Sequence, residues 1–240
     1  MGLFKYNQNL CVTTLSPMDN RQRNMKDWNI TFPRLNHEER LLALFEIFSS
    51  QEILVTSSFG ASSPLLLHLI AEICPTQAIH FLDTTYHFKE TLAFRDYLIE
   101  KYKLNVVNIL PEANENALTR EEQWWFTKPD ACCSVNKVEP LASLKSKYKV
   151  WVSGIMGFQT PQRLNMNIFE DQNGLLKFNP FIDLTEGEYL YWSSLYKLPV
   201  HPLTALGFDS IGCMPCTSRG QGRNGRWAGK DKVECGLHLK

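Results

Sequence analysis

The sequence lacks a long hydrophobic run and an excess of charge of either sign. Its 240 residues contain 25 Lys and Arg against 25 Asp and Glu, so the formal net charge is zero. No apolar stretch approaches the roughly 20 residues that a membrane-spanning helix needs, and the N-terminal residues show no signal-peptide core. We therefore expect a cytoplasmic protein with neither a membrane nor a general nucleic-acid partner.

Internal repeats and low-complexity segments are also absent. A hydrophobic fraction of 44% and an aromatic fraction of 12% indicate a folded core. Short β-prone runs alternate with helical patterns, which predicts an α/β fold with a parallel sheet and helices on both faces. The predicted strands are 53–57, 78–82, 105–110 and 149–154, with two further β-like runs at 166–169 and 175–178.

Helix starts and domain boundaries follow from local signals. Asn36 with Glu39, and Thr185 with Glu188, have the spacing of capping boxes and predict helix starts. Residues 1–35 predict a poorly regular leader. The chain divides into a leader and helix at 1–49, an α/β domain at 50–205, and a cysteine-containing loop with a mobile tail at 206–240.

Small and polar residues follow the first two strands. The loop Ser57-Ser58-Phe59-Gly60-Ala61 lies between a strand and a helix, where hydroxyls and free N–H groups can hold an anion. It is not a Walker loop, because no Gly-Lys-Ser/Thr is present. Asp83 and Thr84 end the second strand, where nucleotide hydroxyls are often bound. The alternatives are a loop that binds nothing and an aspartate that only caps the next helix.

Four of the seven cysteines form two pairs: Cys132 with Cys133, and Cys213 with Cys216. Four thiolates can hold a zinc ion or an iron–sulfur cluster. The vicinal pair favours a 4Fe–4S cluster over zinc, and a vicinal disulfide with a redox Cys-x-x-Cys is a third option. Lys137 would lie one helical turn after Cys133 and offset the cluster's charge. Its alternative is an ordinary solvated lysine.

A single thiol, Cys235, lies in a tail rich in Lys, Arg and Gly. Six cations between residues 219 and 240 place this thiol in a positive field, which favours the nucleophilic thiolate. The alternative is a loose terminus with an incidental cysteine.

Together these segments resemble the assimilatory adenylylsulfate/phosphoadenylylsulfate reductases over about residues 50–240. The matching segments are Ser57–Ala61, Phe81–Thr84, Cys132–Cys133 with Lys137–Leu141, Cys213–Cys216, and Glu234-Cys235-Gly236-Leu237-His238. The resemblance implies an ATP-pyrophosphatase-like (adenine nucleotide alpha hydrolase-like) fold. It also implies a 4Fe–4S cluster on Cys132, Cys133, Cys213 and Cys216, and adenosine 5′-phosphosulfate (APS) as substrate.

The resemblance further implies a mechanism. Cys235 attacks the sulfate sulfur, AMP leaves, and a thioredoxin or glutaredoxin-type reductant releases sulfite from the S-sulfocysteine. Homo-oligomerisation is left open. The residues assigned to the substrate are Ser57, Ser58, Phe59, Gly60, Ala61, Asp83, Thr84, Lys137, Arg163, Arg223, Arg226 and His238.

The sequence departs from the family pattern after the fourth strand. Many relatives carry two arginines where this chain has Met156 and Gly157. Their loss fits APS better than the 3′-phosphorylated nucleotide, but a different anion clamp would explain it equally. A reductase acting on that 3′-phosphorylated nucleotide, a nucleotide-activating or thiolating enzyme of the same fold, and a metal-stapled binding module are the rival hypotheses.

Overall fold

The structure is a computed structural model that describes residues 21–238, with side chains from Asn24 onward. The leader is not irregular where it is described, since α1 spans Arg21–Thr31 and a 3₁₀ turn spans Phe32–Arg34. The prediction of a poorly regular leader is therefore wrong for this part, and its first 20 residues lie outside the described range. The helix is fixed by packing, because Trp28 contacts Phe169 with ring centroids 5.2 Å apart.

A six-stranded sheet with the order β3-β2-β1-β4-β6-β5 organises the chain. All pairs are parallel except β5 with β6, which form an antiparallel edge. The first four predicted strands and the last are confirmed, whereas the run predicted at 166–169 begins at Phe169. The strands are β1 Ile53–Ser57, β2 Ala78–Leu82, β3 Asn105–Ile109, β4 Val150–Ser153, β5 Phe169–Gln172 and β6 Leu175–Phe178.

Helices follow the strands, and both predicted capping boxes are present. The Asn36 side chain accepts from the Glu39 N–H, and Thr185 does the same for Glu188. No helix between residues 21 and 238 is long and apolar enough to cross a bilayer. The remaining helices are α2 His37–Ile47, α3 Ser63–Ile73, α4 Lys89–Tyr102, α5 Ala113–Glu121, α6 Trp124–Thr127, α7 Pro129–Cys133, α8 Glu139–Lys145, α9 Pro161–Leu164 and α10 Glu186–Leu195.

The central strands are buried on both faces of the sheet. Ile53 and Val55 belong to the main core, whereas Leu54 between them packs with Trp151 in a second, smaller core. Side chains of a strand alternate between its two faces, so the two cores lie on opposite sides of the sheet. This is the layered arrangement expected of a parallel sheet.

The strand order reverses between β1 and β4. The chain proceeds from β1 to β2 and β3 on one side, and then returns to place β4 on the other side of β1. In open parallel sheets, ligands bind in the crevice outside the carboxyl ends of the strands at such a reversal. The loops after β1, β2 and β4 should therefore build the functional site.

Candidate active site

The loop after β1 is held in a fixed shape by its own side chains. The Ser57 hydroxyl accepts the Phe59 N–H at 3.1 Å, and Phe59 has a positive φ of 50°. The Phe59 ring is fully buried against Phe81, with centroids 5.4 Å apart. Phe59 is thus a core residue that anchors the loop, while Ser58 is exposed beside it.

Gly60 brings this loop against the segment that carries the second cysteine pair. A Cβ at Gly60 would lie 3.2 Å from the carbonyl oxygen of Ile211, which is tighter than an ordinary contact. Ala61 follows, and its carbonyl accepts from the Tyr189 hydroxyl at 3.4 Å. The loop predicted to hold an anion therefore lies next to the segment leading to Cys213.

Asp83 and Thr84 shape the loop after β2. One carboxylate oxygen of Asp83 accepts the Thr85 N–H at 2.9 Å. Because α4 begins only at Lys89, the alternative that Asp83 caps that helix is wrong. The Thr84 hydroxyl lies 3.3 Å from the Cys213 sulfur, so the loop after β2 contacts the second cysteine pair directly.

The vicinal pair Cys132 and Cys133 ends helix α7. Cys133 has ordinary helical backbone angles, φ −69° and ψ −34°, so the pair itself needs no special turn. The unusual geometry follows at once, as a π-helical turn over Ser134–Val138 that leads into α8. Such wide turns interrupt the regular helix and are frequent at functional sites. This turn carries Lys137.

All four paired cysteines line one pocket. Their thiols are free, and three of them are buried, with Cys216 partly exposed. Between residues 21 and 238, no three His, Cys, Asp or Glu side chains form a preset metal-binding group. The donor set still fits an iron–sulfur cluster, because four thiols from two segments converge on a single cavity. The pocket is lined by Tyr86, Trp125, Pro129, Cys132, Cys133, Asn136, Lys137, Cys213, Pro215, Cys216 and Trp227.

Burial is the largest influence on the pKa values of the four paired cysteines. It raises the pKa of Cys132 to about 11 and that of Cys133 to about 12, and it raises the pKa of Cys216 as well. Burial also opposes ionisation of Cys213, but Lys137 and the Thr84 hydroxyl outweigh it and lower that pKa. The protein thus supplies positive charge at this site.

Lys137 connects the cluster to the tail cysteine. Burial alone would lower the pKa of Lys137, but the charges of Cys213, Cys235 and Cys133 raise it. The ammonium therefore lies within electrostatic range of both the cluster thiols and Cys235. The backbone after Cys235 is close too, since a Cβ at Gly236 would lie 3.6 Å from Val138. The structure thus brings together the predicted nucleophile and Lys137.

The tail is docked on the α/β domain through a buried ion pair. Arg163, which is 5% exposed, donates from Nε and Nη2 to the two carboxylate oxygens of Glu234 at 2.7 and 2.9 Å. Arg223 adds a contact to the same carboxylate at 3.3 Å, and Thr160 adds another at 3.3 Å. Two arginines assigned to the substrate by sequence therefore hold a carboxylate of the chain itself.

His238 docks further along the tail, on the indole of Trp151. Burial, followed by the charges of Lys177 and its neighbours, keeps the pKa of His238 well below its usual value. Lys145 lies 3.8 Å and Lys177 5.4 Å from the centre of the same indole. His238 is consequently a neutral ring surrounded by cations, placed to fasten the tail.

Arg226 and its neighbour Trp227 close the second cysteine pair. The Arg226 guanidinium lies 4.5 Å from the Trp227 ring, and its Nε donates to the Cys216 carbonyl at 3.4 Å. A Cβ at Gly212 would overlap this guanidinium, so any larger residue there would require the Arg226 side chain to shift. Arg226 thus packs beside the second cysteine pair.

Met156 and Gly157, the positions at which many relatives carry arginine, are both enclosed in this structure. Met156 is fully buried, and the Gly157 N–H donates to the Ile182 carbonyl at 2.8 Å. A Cβ at Gly157 would lie 2.5 Å from that carbonyl oxygen. The backbone itself therefore excludes an arginine at residue 157.

Sequence reasoning missed Glu234, Trp151, Asn136 and Lys177 as parts of the site. Asn136 donates to the Cys132 carbonyl at 2.9 Å and accepts from Asn116. One signal was available for Glu234, because an acid directly before a reactive cysteine, in a segment rich in cations, indicates an ion pair. The other three become visible only when distant segments are brought together.

Comparison with known sequences finds a matching family model and several relatives. Residues 52–219 match the phosphoadenosine phosphosulfate reductase domain. The chain is 42% identical over 196 residues to an adenosine 5′-phosphosulfate reductase of Mesorhizobium japonicum, covering 78% of this chain and 76% of that protein. It is 36% identical over 199 residues to a phosphoadenosine 5′-phosphosulfate reductase of Gloeobacter violaceus, covering 78% and 82%.

Solved structures share the fold. A phosphoadenylyl-sulfate reductase from Candida auris in a phosphate complex superposes with a TM-score of 0.69 at 20% identity, covering 84% of this chain and 98% of that one. A Candida glabrata FMN adenylyltransferase with FMN and an ATP analogue superposes with a TM-score of 0.55 at 16% identity, covering 89% and 74%. At these identities the likeness concerns architecture alone.

Proposed function

Since the chain belongs to the phosphoadenosine phosphosulfate reductase family, we propose that it reduces APS to sulfite and AMP in sulfate assimilation. The observation that carries this proposal is the placement of Cys235. This free, half-buried thiol lies within electrostatic range of Lys137, at the edge of the sheet where parallel α/β folds bind nucleotides. A tail that delivers a thiol to that edge is what attack on a bound nucleotide requires.

The reaction is a two-step transfer at sulfur. The Cys235 thiolate forms a bond to the sulfate sulfur while the bond from that sulfur to the AMP phosphate oxygen breaks, so AMP leaves with the electron pair. A protein dithiol of thioredoxin or glutaredoxin type then attacks the Cys235 sulfur, and sulfite leaves. The resulting mixed disulfide resolves within the reductant, whose two thiols supply the two electrons.

Binding and charge neutralisation carry most of the catalysis, because phosphate is a competent leaving group. We assign the nucleotide to the loops Ser57–Ala61 and Asp83–Thr84, which flank the reversal of strand order. Lys137 faces the developing charge together with Arg163, Arg223 and Arg226. We further propose that His238 holds the tail in register.

We propose that Cys132, Cys133, Cys213 and Cys216 hold a 4Fe–4S cluster. The shared pocket and the four free thiols support this assignment. When bound, the cluster would supply fixed negative charge and a covalent link between α7 and the 213–216 loop. Lys137 and Arg226 would offset that charge from the protein side.

Two observations favour APS over the 3′-phosphorylated nucleotide. Four relatives that are 37–42% identical to this chain are named adenosine 5′-phosphosulfate reductase. The buried Met156 and the closed Gly157 also remove two cations that a more highly charged substrate would use. ATP cleavage is not favoured, because Ser57–Ser63 contains no carboxylate for magnesium.

The test is a parallel assay of both nucleotides under exclusion of oxygen, with a reduced thioredoxin-type protein as donor. We expect APS to yield sulfite and AMP in equal amounts, with a much lower rate for the 3′-phosphorylated nucleotide. Without reductant, Cys235 should gain the mass of one SO₃ group. Sulfite formation at the normal rate by a Cys235→Ser variant would refute the mechanism.

A further inference from the structure

We propose that Glu234 is an internal competitor of the substrate anion. Its carboxylate occupies Arg163 and Arg223 when no nucleotide is bound, and the phosphosulfate group of the substrate displaces it. This inference rests on the proposed function, which assigns both arginines to the substrate. It adds a role for a residue whose side chain the reaction itself does not use.

The contact is a built anion site rather than an incidental surface pair. Glu234 is 5% exposed, and its two oxygens each face a different nitrogen of Arg163 at 2.7 and 2.9 Å. Such a paired arrangement is the geometry in which arginine binds carboxylate, sulfate and phosphate alike. A group that satisfies this geometry for a carboxylate therefore also fits the substrate's anionic oxygens.

Charge in the site exceeds what one carboxylate neutralises. Two guanidiniums share a single acid, and the buried Nε of Arg223 has no hydrogen-bond partner in the described part of the chain. Burial, followed by the charge of Arg163, lowers the pKa of Arg223 to about 10. A phosphosulfate group, with more negative charge and more acceptors, is the better occupant.

Exchange of one anion for another also explains why the docked tail can be released. Leaving Arg163 buried without an anion would be unfavourable, so the tail stays docked while the site has no ligand. An incoming anion takes the place of Glu234, and the arginines keep a partner throughout. Cys235 is the next residue, so substrate binding would free the thiol to reach the sulfur.

Competition of this kind has a quantitative signature. A ligand that binds only the released state shows an affinity weakened by the fraction of molecules in that state. If about one molecule in ten is released, removing the competitor strengthens apparent binding about tenfold. Adenosine carries no anion, so its affinity should not depend on Glu234.

The experiment measures binding of AMP and adenosine to the full-length protein by calorimetry. The variant Glu234→Gln should bind AMP about tenfold more tightly than the wild type, with adenosine unchanged. Glu122→Gln is the matched control, because Glu122 pairs with Lys128 on the exposed surface. That control should leave both affinities as they are. Equal or weaker AMP binding by E234Q would contradict the competition.

A second measurement needs no variant. Trypsin cleavage after Lys232 in the wild type should be faster with saturating AMP than with adenosine. Slower cleavage with AMP would mean that Glu234 stays bound in the loaded site, which contradicts displacement. The sulfite assay tests a separate claim. A wild type that makes no sulfite would overturn the proposed reaction, whereas the comparison of AMP with adenosine would still decide whether Glu234 competes with an anion.

Discussion

The imidazole of His238 lies nearly parallel to the indole of Trp151, with centroids 5.4 Å apart and an interplanar angle of 6°. Trp151 is itself fixed, since its Nε1 donates to the Thr56 hydroxyl at 2.8 Å. The stack therefore joins the tail to the middle of the sheet. Stacked rings contribute about 0.5–1.5 kcal/mol beyond the area they bury.

This contact predicts that tail docking depends on pH. Because the pKa of His238 is lowered in the docked tail, the undocked tail takes up the proton more readily. Docking should be complete above the ordinary histidine pKa of about 6.5 and weaken as the pH falls below it. The rate of trypsin cleavage after Lys232, compared between the wild type and a His238→Phe variant from about pH 7.5 to about pH 5.5, measures this. The His238→Phe variant keeps a ring and should lose the pH dependence, and equal dependence in both proteins would contradict the interpretation.

His201 predicts a second pH effect, on global stability. It is fully buried, its Nδ1 accepts the Leu203 N–H at 3.2 Å, and its Nε2 lies 3.1 Å from the Thr91 hydroxyl. A proton on Nδ1 would face an N–H group, and burial lowers the pKa to about 4, with Glu90 opposing. The free energy of unfolding should therefore fall as the pH drops from about 6.5 towards 4.

Urea unfolding at several pH values tests this, with His201→Asn as the comparison. Asparagine keeps an acceptor for the Leu203 N–H but does not titrate. The variant should be less stable at neutral pH and lose less on acidification. His37 will leave a residual slope in the variant, since burial also lowers its pKa to about 4.

Gly157 predicts a steric effect on stability. A Cβ there would lie 2.5 Å from the Ile182 carbonyl oxygen, so Gly157→Ala should lower the free energy of unfolding by about 1–3 kcal/mol. Gly187 in α10 is the matched control, because a Cβ there meets nothing within 4 Å. Gly187→Ala should raise stability by up to about 1 kcal/mol. Equal effects in urea unfolding would show that the backbone at residue 157 adjusts.

Substituting a paired cysteine and substituting Cys235 should remove different properties of the protein. Cys213→Ser should lower iron content from about four per chain and bleach the visible absorption of the protein. Cys235→Ser should keep the iron and lose sulfite formation. Iron analysis and the sulfite assay on both variants check this, and full iron in Cys213→Ser would contradict the ligand assignment.

The positions of the core strands could be anticipated from local sequence, but the order of the strands in the sheet and the geometry of the site could not. Ile53–Ser57 and Val150–Ser153 are apolar β-prone runs, and Thr185 with Glu188 is a cap defined within four residues, so short windows contain the necessary information. Helix α1 was missed because it is amphipathic only weakly, and Trp28 stabilises it through contacts with distant rings.

The docked tail was missed for a different reason. Arg163 and Glu234 are 71 positions apart, and nothing in either neighbourhood specifies the other. Arg163 was assigned to the substrate, and this assignment stays a prediction, but in the structure its guanidinium is taken by Glu234 and Gln159. Composition describes such a tail as loose, whereas tertiary contacts decide where it lies.

The contact of Thr84 with a cysteine sulfur limits how this protein can be re-engineered. The Thr84 hydroxyl lies 3.3 Å from the Cys213 sulfur, and the Asn136 amide lies 3.6 Å from that of Cys132. A cysteine-free redesign that only truncates the thiols would leave the buried Thr84 hydroxyl short of a partner, at about 1–3 kcal/mol. The Asn136 amide would keep its bonds to the Cys132 carbonyl and the Thr119 hydroxyl. The loop after β2 would therefore have to be redesigned together with the 213–216 loop, as one unit.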